Sequence, residues 1–240
     1  MRTPLPPNPR IDFKMRLSTT RNTGRNRCWV LTCNEPSGNA SGAGVGRFCR
    51  KHLEHYRRHG DPLKESYRAA RTRSLKSAAL YWVKSNRGEP FVQAATSRIE
   101  SLMQRSGPVI APRNLPGLSA QRKACATWAR MRSRRVEAGN IVAAVLSIVL
   151  CHALDPQKGK VEYRRVQIAK VLNRIAGGEV KRWPTHHSDP ALPREKVLKW
   201  FPASEGLVLR VLGKSAEEAL ECLIPGKIDE ILEFVARRSP

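Results

Sequence analysis

The sequence is poor in aromatic residues and has no long apolar run. Aromatic side chains make up 6% of the 240 residues, a share that favours helices over a β-sandwich or barrel, whose strands are rich in Tyr, Phe and Val. The best apolar stretch, residues 141–154, is shorter than the roughly 18 residues of a bilayer-spanning helix and contains Ser147, Cys151 and His152. These shortages predict a helical protein that does not cross a membrane.

Acidic residues are also scarce, because 20 Asp and Glu stand against 44 Lys and Arg, a formal charge of +24. Residues 1–60 carry 12 basic and 3 acidic side chains, 61–135 carry 16 and 4, and 136–240 carry 16 and 13. In the first 135 residues Arg outnumbers Lys 22 to 6. Because the guanidinium fork matches phosphate oxygens, we expect a polyanionic partner, most commonly nucleic acid. The alternative is a merely soluble basic protein from a GC-rich genome that prefers arginine codons. Such a codon bias would not end at residue 135.

The amino end has no apolar segment that could be the core of a secretory signal. Its prolines (Pro4, Pro6, Pro7 and Pro9) oppose an amphipathic targeting helix. We therefore expect a disordered basic arm and a reducing compartment, the bacterial cytoplasm or nucleoid. There the six cysteines would bind metal or be buried rather than form disulfides.

Turn signals and composition predict a mainly α protein with an all-α helical body. The small module that precedes this body is zinc-finger-like because of its Cys28, Cys33, Cys49 and His52 residues. The predicted segments are a basic arm at 1–26, a zinc-binding module at 27–62, a basic helical region at 63–106, a proline-rich linker at 107–118 and a helical domain at 119–240.

Three- and four-residue apolar spacing predicts the helices of the body. One begins near Leu63 and another at Pro90, and Ser119 caps a third that reaches Glu137. The next, from Asn140, is apolar on all sides and should be the buried centre. The pattern further predicts a helix at 162–176 stopped by glycine, short helices near 195–200, 203–212, 215–223 and 227–237, and no sheet.

The strongest chemical pattern is formed by cysteine and histidine in residues 28–52. Cys28 and Cys33 are separated by four residues, which suits a turn that brings two sulfurs together. Cys49 and His52, three apart, project from one face of a helix. A glycine-rich loop at 38–46 separates the two pairs. Two such close pairs are typical of a tetrahedral structural zinc site.

A helix continuing from Cys49 would have two different faces at 100° per residue. Leu53 and Tyr56 would lie on the side of Cys49 and His52, and charged residues on the other. An arginine-bearing helix backed by metal is suited to nucleic acid. The predicted phosphate contacts are Arg47, Arg50, Lys51, Arg57 and Arg58.

His59 is the first substitute for a ligand of this site, because it lies near His52 on the helical wheel. His55 and His59 together have the spacing of a Cys2His2 finger, but the loop would then be far longer than the roughly twelve residues of such fingers. The alternative is a metal-free basic helix with scattered buried cysteines. A segment so poor in apolar residues would not fold by hydrophobic burial alone.

These residues resemble a small zinc-binding module of phage and mobile-element proteins. The resemblance is carried by the run Cys28-x4-Cys33, Gly46-x-Phe48-Cys49-x2-His52 and Arg58-His59-Gly60-Asp61-Pro62. It covers about 35 residues and implies a metal and contact with DNA; such modules sometimes stand beside an HNH-type endonuclease. This chain departs from the pattern at Leu53, where an aromatic residue is usual, and in its longer loop.

Weaker patterns favour ordinary structure. Residues 168–183 resemble a helix-turn-helix, but Gly177 and Gly178 would fall inside the recognition helix. An amphipathic helix with a glycine stop is the better interpretation. His186 and His187 resemble the start of an HNH site, yet no histidine follows them, which favours a polar loop. The remaining cysteines are predicted to be small buried side chains: Cys125, Cys151 and Cys222.

The sequence therefore predicts a non-enzymatic, zinc-stabilised protein that binds nucleic acid, DNA in preference to RNA. One alternative is an HNH-like or other metal-dependent nuclease with ligands hidden in the helical body. Another is an assembly or regulatory protein that binds a protein partner or itself through residues 140–240.

Overall fold

The computed structural model describes residues 27–37, 48–157, 159–184, 195–200 and 206–238. It divides the chain into two compact units, Met1–Tyr56 and Arg57–Pro240. The predicted arm at 1–26, the loop at 38–46, Arg47 and the pair His186 and His187 lie outside the described residues. In the described parts the fold is mainly α, as predicted, with eight α-helices and one two-stranded sheet.

The eight α-helices of the described residues are numbered in chain order. They are α1 Arg50–His59, α2 Ala69–Ser85, α3 Pro90–Gln104, α4 Ala120–Ser133, α5 Ala138–Ala153, α6 Val161–Ala176, α7 Gly206–Ala219 and α8 Ile224–Arg238, with a 3-10 turn at Pro112–Asn114. The predicted end signals are confirmed at three of them. Pro90 begins α3, the Ser119 side chain accepts a hydrogen bond from the Arg122 N–H, and Gly177 ends α6 with a φ of 63°.

Helix α5 is the centre of the second unit, as its apolar composition predicts. Every residue from 141 to 151 is at most 2% exposed, and helices α2, α3, α6 and α8 pack against it. The one polar side chain in this stretch, Ser147, donates to the Ala144 carbonyl at 2.7 Å. One cluster of buried side chains runs from Leu75 to Val235, so the core takes residues from both sides of segment 107–118.

The helix predicted near 195–200 is wrong, because Glu195–Trp200 is a strand (β2) paired antiparallel with Glu179–Pro184 (β1). The hairpin has the β-branched and aromatic residues that favour strands, such as Val180 and Val197. Both of these side chains are more than 40% exposed. Among the hairpin side chains that the structure describes, neither face is buried, so the apolar alternation by which a strand is recognised does not develop.

Three helix boundaries also differ from prediction. Helix α7 is continuous where two short helices were expected, because residues 213–215 carry no helix-breaking residue other than a tolerated glycine. Helix α4 ends at Ser133 rather than Glu137, since Arg135 turns the chain with a φ of 52°. Glu137, not Asn140, therefore precedes α5.

Helix α2 begins at Ala69 rather than Leu63 because the preceding segment packs against α6. The Asp61 carboxylate accepts hydrogen bonds from the backbone N–H groups of Leu63 and Lys64, a turn that competes with a helix. Gly60 has a φ of 80°, and a Cβ there would lie 2.8 Å from the Tyr163 Cα. The Gly60-Asp61-Pro62 motif thus allows a close approach to α6 that a side chain would block.

Candidate metal centre

Cys28 and Cys33 lie on a tight turn whose backbone hydrogen bonds hold both sulfurs on one side. The Cys33 N–H donates to the Val30 carbonyl at 2.8 Å, and the Cys28 N–H donates to the Glu35 carbonyl at 3.1 Å. An antiparallel bridge between Arg27 and Pro36 closes the turn. The four-residue spacing therefore produces the predicted turn with two inward thiols.

Cys49 and His52 occupy the start of helix α1. Leu53 donates its N–H to the Cys49 carbonyl at 2.8 Å, so Cys49 immediately precedes the first helical turn. His52 lies three residues later on the same side, with its Nδ1 atom 3.2 Å from the Cys49 Sγ. The helix thereby supplies one sulfur and one imidazole nitrogen to the same place.

The two pairs meet. The Cys28 Sγ lies 3.4 Å from the His52 Nδ1, the Cys33 Sγ lies 3.9 Å from the Cys49 Sγ, and all four donor atoms are within 4.8 Å of one another. Zinc bonds of about 2.3 Å to sulfur and about 2.0 Å to nitrogen place tetrahedral ligands about 3.5–3.8 Å apart. The separations of 3.2 Å, 3.4 Å and 3.9 Å are close to these values, and the 3.9 Å between the Cys33 and Cys49 sulfurs is nearly twice a disulfide bond length.

The packing around these four residues indicates a site that a cation would complete. Among the described residues of the first unit, one hydrophobic cluster consists of Cys28, Val30 and Cys49, with Cys33 and Phe48 packed against it. Three of its five members are thus prospective ligands. A cluster this small buries too little apolar surface to offset the entropy of ordering the turn and the helix. The residues present fit a structural metal ion.

The thiols differ in how readily they lose a proton. Desolvation raises the pKa of Cys28, but hydrogen bonds from the backbone of Cys49 and Val30 outweigh it, and the net direction is downward. A backbone hydrogen bond at Glu35 lowers the pKa of Cys33, but desolvation and the neighbouring sulfurs reverse that shift, and the net direction is upward. A divalent cation would relieve the repulsion between thiolates, so its binding would release protons.

The comparisons with known proteins return no match. No protein-family model, curated protein or solved structure matches the chain. None of the helices that the structure describes has both the length and the apolar character needed to cross a membrane.

His59, the predicted substitute ligand, is not part of the four-residue group. Its Nδ1 atom lies 3.2 Å from the Ser66 hydroxyl and 3.4 Å from the Lys170 Nζ, and its carbonyl accepts from the Gln167 side chain. His55 is also outside the group. The helical wheel placed His59 near His52 but did not reveal that the segment after α1 gives His59 other partners.

The charged side of helix α1 is exposed as the wheel predicts. The Arg50, Lys51, Arg57 and Arg58 residues are all exposed, whereas His52, Leu53 and Tyr56 are half-buried. The Arg50 side chain is 92% exposed and pairs with Glu54 at 3.3 Å. The structure therefore presents four of the five predicted cations to solvent; the fifth, Arg47, is outside the described residues.

The other cysteines differ from one another in burial. Cys151 is fully buried in α5, as predicted, and burial raises the pKa of its thiol to about 11. Cys125 and Cys222 are only partly buried. None of the three belongs to the metal-ligand group found among the described residues.

Lys170, which the sequence did not single out, has an unusual environment in the second unit. Burial, together with the charges of Arg174 and Arg58, lowers its pKa to about 8, and its Nζ donates to the Ser66 hydroxyl at 2.8 Å. The amphipathic pattern of the sequence indicates only that position 170 lies between the apolar and the polar side of its helix. Of the two cations that depress the pKa, Arg174 is one turn away on the same helix, whereas Arg58 comes from a distant part of the chain.

The free energy of unfolding is expected to rise with pH between about pH 8 and pH 9 because of Lys170. Its folded pKa of about 8 lies below the ordinary lysine pKa of 10.5, so in this interval the unfolded chain binds more protons. Above about pH 9 the raised pKa of Cys151 acts in the opposite direction. Urea unfolding at several pH values measures the slope.

The Lys170→Met variant should remove this rise, whereas Lys84→Met, which changes an exposed lysine of α2, should keep it. His59 and Ser66 can still bond to each other in the first variant. Equal slopes in the two variants would show that Lys170 does not titrate in this interval.

Proposed function

We propose that the chain is a zinc-stabilised, non-enzymatic nucleic-acid-binding protein of phage or mobile-element type, with DNA as its partner. The observation that carries the proposal is the convergence of Cys28, Cys33, Cys49 and His52 within 4.8 Å. This convergence ties the turn at 28–33 to the start of an arginine-bearing helix.

The donor set supports zinc as the metal. Three thiols and one imidazole form a Cys3His set, which is a common structural zinc site and uses all four tetrahedral positions. Soft sulfur donors disfavour magnesium and calcium, which prefer oxygen. With no position left for water or substrate, the ion would hold the turn and the helix together and take no part in catalysis.

The charge of the chain supports nucleic acid as the partner. The exposed residues Arg50, Lys51, Arg57 and Arg58 lie on one helix, and the first 135 residues carry most of the excess positive charge. Arginine binds phosphate with two parallel hydrogen bonds. The resemblance to the phage zinc module supports DNA as the partner and, with it, the bacterial cytoplasm or nucleoid as the location.

Substitution of the α1 cations is expected to reduce the salt dependence of DNA binding. In the full-length protein, Arg50, Lys51, Arg57 and Arg58 are all changed to Gln, and affinity for a short duplex is measured by fluorescence anisotropy over a series of salt concentrations. Each lost phosphate contact lowers the slope of log K against log salt by about 0.9. Four contacts predict a decrease of about 3 to 4.

A matched variant separates local contact from total charge. It changes four other exposed cations of the second unit to Gln: Lys84, Arg87, Arg98 and Arg122. Its slope should stay close to that of the unchanged protein. Affinity of the unchanged protein that does not vary with salt would contradict nucleic-acid binding, and tighter binding to RNA of the same sequence would contradict the preference for DNA.

A further inference from the structure

A cleft of about 310 Å³ opens in the second unit where helices α2 and α6 both pack on α5. Helix α2 lines it with Thr72, Arg73 and Lys76, and helix α6 lines it with Arg174. Ser147 of the central helix also borders it. The cleft thus has basic residues on two helices and a buried helix between them.

Among the described residues, the three cations of the cleft have no partners of opposite charge. No carboxylate lines the cleft, and within the part of the chain that the structure describes Arg73, Lys76 and Arg174 take part in no ion pair. Some other cations of this unit are paired, as Arg165 is with Glu217 at 2.6 Å and Arg113 with Glu179 at 3.5 Å. Three unpaired cations around a concave surface favour the binding of an anion.

The hydroxyl groups at the cleft are already engaged, which leaves recognition to the charges. The Thr72 hydroxyl donates to the Ala69 carbonyl at 3.0 Å, and the Ser147 hydroxyl donates to the Ala144 carbonyl. Neither proton is available to an incoming oxygen. The ligand would therefore be held by guanidinium and ammonium groups, which is typical of phosphate recognition that carries no base information.

Positive charge extends beyond the cleft along helix α6. Lys170 lies one turn before Arg174, and the pKa of Lys170 is lowered by burial, by Arg174 and by Arg58. The cleft cations Arg73, Lys76 and Arg174 therefore have two further cations near them, Lys170 and Arg58. A single small anion would contact only part of this set, whereas a chain of phosphates could contact more of it.

We propose that the cleft between α2 and α6 is a second nucleic-acid contact, in which Arg73, Lys76 and Arg174 bind the phosphodiester backbone. This inference rests on the proposed function and extends it, because the residues belong to the helical body and none of them is among the α1 cations. The body would then take part in binding directly.

The test changes Arg73, Lys76 and Arg174 to Gln in the full-length protein. Because these side chains have no ion pairs in the described structure, the thermal unfolding midpoint should change little. The slope of log K against log salt for a DNA duplex should fall by about 2 to 3. A control of equal charge changes Lys84, Arg98 and Arg122, which are exposed outside the cleft, and its slope should remain unchanged.

The outcomes separate the two proposals. If the unchanged protein binds DNA in a salt-dependent way but the cleft and control variants have the same slope, the cleft proposal is wrong and the proposed function stands. If the unchanged protein does not bind nucleic acid, both fail. A titration with inorganic pyrophosphate completes the test. Loss of pyrophosphate binding in the cleft variant, with unchanged DNA binding, would assign the cleft to a small phosphate and overturn the proposal.

Discussion

Replacement of Cys49 by serine is expected to reduce the zinc content of the full-length protein from about one ion per chain to nearly none. The Cys49 Sγ lies 3.2 Å from the His52 Nδ1 and 3.9 Å from the Cys33 Sγ, and one lost thiolate leaves three donors. Structural zinc sites contribute an apparent 10–16 kcal/mol or so to folding. Because the apolar cluster of the first unit consists largely of these ligands, its order should be lost with the metal.

Metal analysis and cobalt substitution measure this effect without any binding assay. Cobalt bound to the unchanged protein should give the intense visible absorption of tetrahedral thiolate coordination, and the Cys49→Ser protein should not. Limited proteolysis should cut the variant faster within residues 27–56 and leave the second unit intact. That unit has its own hydrophobic cluster.

Cys222→Ser provides the matched control, since Cys222 is partly buried and lies outside the ligand group. It should keep one zinc ion and the cobalt spectrum. Full zinc occupancy in Cys49→Ser, or the same loss in both variants, would contradict the assignment of the site.

Substitution of Gly213 by alanine is expected to lower the stability of the helical body by about 3 kcal/mol. Gly213 lies in α7 where this helix meets α6, and a Cβ there would lie 2.0 Å from the Arg165 carbonyl oxygen. That atom belongs to helical backbone, so the two helices would have to separate. Separation would also strain the ion pairs of Glu217 with Arg164 and Arg165. The loss far exceeds the roughly 1 kcal/mol that alanine gains over glycine in a helix.

Thermal unfolding measures the effect, with a decrease in Tm of about 6–12 °C expected for a unit of this size. Gly226→Ala is the control, because Gly226 lies in α8 and a Cβ there would meet no atom within 4 Å. It should leave the Tm unchanged or raise it slightly. A Gly213→Ala protein as stable as the unchanged one would show that α6 and α7 are not in close contact at this position.

The sequence predicted the residues of the candidate site better than it predicted the boundaries of the helices and the presence of the hairpin. Cysteine and histidine spacing is a local property: four residues between Cys28 and Cys33 fit one turn, and three residues from Cys49 to His52 fit one helical face. The same periodicity predicted the exposed side of α1. Metal identity, DNA contact and the phage module stay predictions, because no comparison matches the chain.

The hairpin of β1 and β2 shows where local patterns fail. Recognition of a strand requires one buried face, and Val197 and Leu198, on opposite faces, are both more than 40% exposed. Helix periodicity was then the remaining signal, and it gave the wrong element at residues 195–200. The pairing of β2 with β1 is a contact between separate segments of the chain, and the local sequence pattern does not reveal it.

By itself the sequence determined the helical class of this protein, its central helix α5, its charge distribution and the residues of a metal-ligand set. These follow from composition and from spacing within one or two turns of chain. Only the tertiary structure decided that His59 contacts Ser66 and Lys170, that Gly213 must lack a side chain, and that Arg73 and Arg174 line one cleft. Each of these contacts depends on which distant segments of the chain pack together, and the short-range periodicity of the sequence does not determine that packing.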